Sequence, residues 1–295
     1  MKIDALPKHT TQIFYDIENS CIGLYDRFQD YIFPDRDRYY TEQGLVQQWV
    51  YHLGLDSDFA SSKDIFNIWV QEIVDGKYYG HLFLADCQNL IGFIQNRILA
   101  TRTQYENFYK HLDEVGTSMF CNDGVYWTTG ENSIEVFSSL HDLFITMYAS
   151  LDLITKLAFQ FENMPNDYSK YQKMKSKSIL FGNRINIEAI NKDQTIFEEN
   201  PSIKTIENLR HELIHNGTWE SVPKVHYRIE NREITERYIY MPDLTIAGTI
   251  EVHVNRKRFF SKENKINETL PDICIEFWQR VCVTLEKIRL TNYQQ

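Results

Sequence analysis

The sequence predicts a mostly helical protein: an N-terminal helical domain, then a helical bundle carrying a small inserted antiparallel β hairpin or sheet. Three observations predict it. The chain is 43% hydrophobic and 14% aromatic with only 12 Gly and 7 Pro in 295 residues, the composition of a folded helical protein. Apolar residues recur at helical spacing over a long run beginning near Ile134. A single stretch, around 223–258, switches to a period of two.

The N-terminal domain, 1–125, opens its periodic pattern at Gly44–Leu53, where Leu45, Val46, Trp49, Val50 and Leu53 share one helical face. Ser61–Val74 repeats this with Ile65, Ile68, Trp69 and Ile73, between a Ser62 cap and a Gly76 stop. A longer helix runs from about Leu82 to Val115. None of these gathers reactive side chains, which points to a structural or partner-binding role. Residues 117–131 lose the period and are rich in turn formers, as a domain boundary would be.

The second domain, 130–295, begins with Asn132-Ser133-Ile134-Glu135, a sequence suited to a capping box. Ile134, Phe137, Leu140, Phe144, Tyr148, Leu151, Ile154, Ala158 and Phe161 follow on one stripe. That predicts a helix roughly 45 Å long ending before Pro165. A polar stretch with Lys170, Lys173, Lys175 and Lys177 reads as a solvated face. From Ser202 the helical period returns through Ile203, Ile206, Leu209 and Leu213 to Gly217, a suitable C-cap. Val225–Ile229, Tyr238–Tyr240 and Ile250–Val254 alternate, so two or three strands are expected there. A closing helix is expected from Pro271-Asp272 through Ile273, Phe277, Val281, Leu285 and Ile288, with Pro in its first turn.

A formal charge of −10 argues against a protein that coats nucleic acid non-specifically, because phosphate binding is driven by Lys and Arg. Any RNA contact is expected to be local. The N-terminal residues lack the apolar core of a signal peptide, and no apolar run is long enough for a membrane span, so a cytoplasmic location is expected. Five scattered cysteines with no CxxC indicate neither a disulfide framework nor a thiolate zinc site.

The chemistry concentrates in Arg210-His211-Glu212-Leu213-Ile214-His215, which holds two overlapping motifs. The first is Arg-x4-His. Cutting RNA without a metal needs a group that moves protons near neutrality, for which His215 is suited, and a fixed cation for the charge that grows on phosphorus, for which Arg210 is suited. Residues five apart on a helix diverge by about 140°, so one chain would not bring both to one phosphate; a second copy would help. Arg210 also falls within the apolar stripe of Ile206, Leu213 and Ile214, where a charge must face a partner.

The second motif, His211-Glu212-Leu213-Ile214-His215, matches HExxH. Two imidazoles four residues apart can share a zinc ion and the glutamate can activate its water. Against it, Thr218 and Ser221 stand where a longer zinc motif would carry Gly and His, and Gly217 ends the helix. The strands offer His226, His253, Glu233 and Glu236, but in no helical ligand motif. A third, structural reading has Arg210, His211 and Glu212 in surface ion pairs and His215 at a helix C-terminus. His9, His52, His81, His111 and His141 read as structural. Arg256-Lys257-Arg258 beside Phe259 and Phe260 could contact RNA by charge and stacking, or form a hairpin end.

In this context, Asn208-Leu209-Arg210-His211-Glu212-Leu213-Ile214-His215-Asn216-Gly217, preceded by a long helix carrying Asp142, Tyr148, Asp152 and Lys156 and followed by a closing helix, resembles the HEPN superfamily over roughly 130–295. The residue after Arg, commonly Asn in that family, is His211 here. The resemblance implies a HEPN-like helical bundle with the β insertion and a metal-independent endoribonuclease of toxin or anti-phage defence type. It implies 2′-hydroxyl attack at a site shared by a homodimer, no cofactor, and an antitoxin or phage-derived trigger as a regulating partner. Arg210, His215 and His211 would be its catalytic residues, and Asn216, Arg256, Lys257 and Arg258 its RNA-binding ones. The alternatives are a zinc-dependent hydrolase with His211 and His215 as ligands and Glu212 as base, and an inactive HEPN-like dimerisation or binding protein.

Overall fold

The computed structural model describes residues 8–32, 34–35, 77–116, 122–170, 172, 174, 179–183, 187–188 and 190–291. Among them are five α-helices and one small sheet. The order is α1 (Lys8–Ile32), α2 (Lys77–Glu114), β1 (Gly124–Thr128), α3 (Glu131–Glu162), α4 (Pro201–Asn216), β2 (Val225–Glu230), β3 (Glu233–Tyr238) and α5 (Ile266–Leu290). The helices expected at 44–53 and 61–74 lie outside the described residues, as do Lys173, Lys175 and Lys177. No described helix is long and apolar enough to cross a membrane.

The described residues fall into two compact units that interleave along the chain. One is drawn from Met1–Phe14, Arg97–Ser150 and Lys192–Val283, the other from Tyr15–Asn96, Leu151–Asn191 and Thr284–Gln295. In the second unit Ile17, Cys21, Leu24, Phe28 and Ile32 are buried at spacings of three and four, the seam of an amphipathic helix. Phe28 meets Phe161 with ring centroids 4.1 Å apart. Arg27 donates to the Ile288, Arg289 and Thr291 carbonyls at the end of α5, which have no intrahelical partners of their own. Cys87 is fully buried there, and burial together with the neighbouring Asp86 raises its thiol pKa, which suits an inert core residue.

The first unit holds the sheet, ordered β1-β2-β3 and antiparallel throughout. Asn231 and Arg232 both take positive φ (53° and 66°), the backbone of the tight turn that fits the right-handed twist of β2 and β3. The third strand is β1, from the turn-rich 122–130 stretch, whereas 250–254 forms only isolated bridges. Val225, Tyr227 and Ile229 bury one face of β2. The core of this unit also takes Phe108, Val136, Leu140, Phe144, Leu209, Phe277 and Trp278.

Two expected helix starts are corrected. The capping box at Asn132 does not form: α3 begins at Glu131, and Ser133 is buried, its hydroxyl donating to the Thr128 carbonyl at 3.1 Å. The closing helix starts at Ile266, so Pro271 lies inside α5 rather than in its first turn. Proline there removes the N–H that would bond the Asn267 carbonyl. The Tyr109 hydroxyl supplies the missing donor at 2.7 Å, so the helix runs through.

Candidate active site

Helix α4 is delimited by local chemistry at both ends. Asn200, in extended conformation (φ −139°, ψ 134°), accepts from the Ser202 and Ile203 amides at 2.8 and 3.2 Å, and Pro201 occupies the first turn. Gly217 leaves the helix at φ 76°, a value that an L side chain disfavours. Ile203, Ile206, Leu209 and Leu213 are buried along one stripe. Thr205 and Glu212 are also buried; seven residues apart, they stack on one side of the helix. Both meet the segment after β3: the Thr205 hydroxyl donates to the Gly248 carbonyl at 3.4 Å, and Glu212 meets Arg258.

The six motif residues therefore separate by direction. Arg210 is half-buried, with its guanidinium carbon 4.6 Å from the centre of the Tyr148 ring on α3. Such a contact is worth about 0.5–2 kcal/mol and holds the cation without neutralising it. Among the described residues no carboxylate pairs with Arg210. His211 and His215, one turn apart, are both exposed, their ring centroids 4.3 Å apart at an interplanar angle of 51°. Ile214 between them is 41% exposed.

Glu212 turns the other way and is only 2% exposed. Its Oε2 accepts from Arg258 Nη2 and Nε at 3.2 and 3.3 Å and from Asn216 Nδ2 at 2.9 Å, and Lys257 Nζ lies 3.7 Å from Oε1. A buried carboxylate needs this matching, because an unpaired one would be expensive. The arrangement also answers the zinc motif. As a base, Glu212 would have to face a water held between His211 and His215, yet both of its oxygens are engaged elsewhere. No further His, Cys, Asp or Glu gathers with the two imidazoles among the described residues.

The remaining expected residues disperse. Asn216 and the cations Lys257 and Arg258 serve Glu212, while Arg256 is exposed in a tight turn where His253 and Arg256 exchange backbone hydrogen bonds. That turn places Val254 and Asn255 at positive φ (45° and 62°). Asp142 sits 3.5 Å from His141, and Asp152 accepts from the Phe181 amide at 2.8 Å. His111 is tied to Ser139 at 2.8 Å.

The sequence reading missed the open face of the sheet as a unit. Pairing sets Trp127 beside His226 and His226 beside Tyr238 on that face, with Val125 opposite Arg228 and Arg228 opposite Glu236. Trp127 and Val125 are 58% and 50% exposed. Lys224 Nζ stands 5.8 Å from the Trp127 ring centre and 3.7 Å from Glu220 Oε2. Burial and the Lys224 charge lower the His226 pKa, and burial raises that of Glu220 although Lys224 opposes it. Alternation of Val125 and Trp127 within 124–128 was the available signal, in a stretch whose glycines and threonines read as a linker.

A scan against protein-family models finds no match, and neither the curated proteins nor the solved structures contain a match to this chain.

Proposed function

We propose that the protein is a metal-independent endoribonuclease of HEPN type whose active site is completed by a second copy of the chain. The observation that carries this reading is the side-by-side exposure of His211 and His215 next to Arg210, whose charge no carboxylate among the described residues cancels. One imidazole would take the proton of a ribose 2′-hydroxyl, whose oxygen attacks the adjacent phosphorus. The bond to the 5′ oxygen breaks, and a protonated imidazole gives its proton to that oxygen, leaving a 2′,3′-cyclic phosphate and a 5′-hydroxyl. Arg210 would hold the phosphoryl oxygens as charge develops. Because Arg210 leans on α3 while the imidazoles face solvent, the cation and the proton-transfer group would best meet across a two-fold axis. Exposed Ile214 would lie in that contact.

The test is cleavage of a mixed-sequence RNA in excess EDTA by wild type, Arg210→Ala, His211→Ala and His215→Ala. Wild type should leave cyclic phosphate ends, and Arg210→Ala and His215→Ala should each lose about 10²–10⁴ in rate. In the toxin or anti-phage setting, induced wild type would arrest bacterial growth and His215→Ala would not. A strict monomer at working concentration would refute the shared site. Cleavage abolished by EDTA, with one zinc per chain lost in His215→Ala, would replace the reading with a zinc hydrolase.

A further inference from the structure

We infer that the open face of the β1-β2-β3 sheet binds single-stranded RNA, with Trp127 as the platform for an unstacked base. The inference rests on the ribonuclease reading and states how its substrate would be held. Tryptophan is a costly residue to leave in water, and here more than half of its surface is open although its strand is fully paired on one side with β2. Its surroundings supply charge at the right places. Lys224 lies over one part of the ring, and Arg228, two residues beyond the His226 that pairs with Trp127, is exposed on the same face. An exposed indole with a lysine over its ring and an arginine two residues further along the same face suits a flexible strand, whose bases offer π faces and whose phosphates follow the cations. A duplex hides its base faces and would not use the platform.

The flanking groups are braced for such a role. His226 stacks on Tyr238 with ring centroids 5.3 Å apart and meets the edge of Tyr240 at 4.8 Å. Lys265 Nζ sits 4.5 Å from the Tyr238 ring centre. Glu236 accepts from Lys265 and from Arg228 Nε, the latter at 3.5 Å. Glu220 positions Lys224 from below, being only 13% exposed in its side chain. The sheet and α4 belong to the same compact unit of the protein.

The test uses the full chain carrying His215→Ala, to prevent cleavage, and a labelled mixed-sequence twelve-nucleotide RNA read by anisotropy. The single strand should bind tighter than the same strand in a duplex. Adding Trp127→Ala should weaken single-strand binding about 5- to 100-fold, the loss of one stacked base, while Trp127→Phe should retain most of it. Lys224→Gln should flatten the salt dependence by about 0.7 in log–log slope, one phosphate contact. Trp127→Ala binding as tightly as its parent, no binding by the parent, or a change of oligomeric state in place of RNA affinity would each overturn the inference. The two readings separate cleanly. Loss of binding in Trp127→Ala with no RNA cleaved by the otherwise wild-type chain would leave the platform and remove the nuclease. Unchanged binding with His215-dependent cleavage would do the reverse.

Discussion

Replacing Arg258 by Met tests whether the buried Glu212 is held as described. The substitution keeps most of the aliphatic length and removes both donors at 3.2 and 3.3 Å from a carboxylate that is 2% exposed. Removing one partner of a buried ion pair costs about 3–5 kcal/mol, because the other charge remains without compensation. Asn216 still donates at 2.9 Å and Lys257 still stands at 3.7 Å, so the expected loss is lower, about 2–3 kcal/mol. For a chain of this size that is a fall of roughly 3–5 °C in Tm. Glu212→Gln should cost less than Arg258→Met, since the amide is neutral and keeps an acceptor. The double variant should recover about 1–2 kcal/mol relative to the sum of the singles. Urea unfolding followed by far-UV circular dichroism gives all three values. An Arg258→Met change below about 0.5 kcal/mol, or an additive cycle, would refute the account of Glu212 as the anchor of α4.

Tyr109→Phe should destabilise by about 1–2 kcal/mol by stranding the Asn267 carbonyl; in a Pro271→Ala background, where the helix regains its own donor, urea denaturation should show a smaller cost. Gly248→Ala should cost at least about 3 kcal/mol, seen as lost soluble expression or a lowered melting point. Gly248 has φ 79°, and an added Cβ would meet the Pro201 carbonyl oxygen and come within 2.8 Å of Thr205 Oγ1. The lowered pKa of His226 means that the unfolded chain takes up its proton first as pH falls. Stability contributed by His226 is thus full above the unfolded value of about 6.5 and is lost below it, towards the folded value. Melting curves from pH 7.5 to 5.5 should show a shallower decline in His226→Phe than in wild type.

Much of the architecture was legible because it rests on neighbours in sequence. The stripe from Ile134 to Phe161, the Ile203–Leu213 stripe with Asn200 before it and Gly217 after it, and the alternation at 225–230 each contain their own reason to form. Helix α1 was not read from the sequence, although Ile17, Cys21, Leu24, Phe28 and Ile32 follow the helical period. Starts were less so. Ser133 looks like a cap but is drawn inward to Thr128, and Pro271 looks like a first-turn residue because the donor that rescues an interior proline, Tyr109, lies on another helix.

The candidate site divides the same way. Placing Arg210, His211 and His215 near the end of one helix, with the two imidazoles a turn apart, followed from the 3.6-residue period alone. What each side chain does was decided by segments far away in sequence. Tyr148 receives Arg210, and Arg258, Lys257 and Asn216 draw Glu212 inward and leave the imidazoles in water. Whether Trp127 sits on a sheet depended on β1 crossing about a hundred residues to pair with β2. Periodicity is written in short windows of the chain and decides which residues can share a face. Which face meets which partner is a property of long-range packing, and only the tertiary structure decides it.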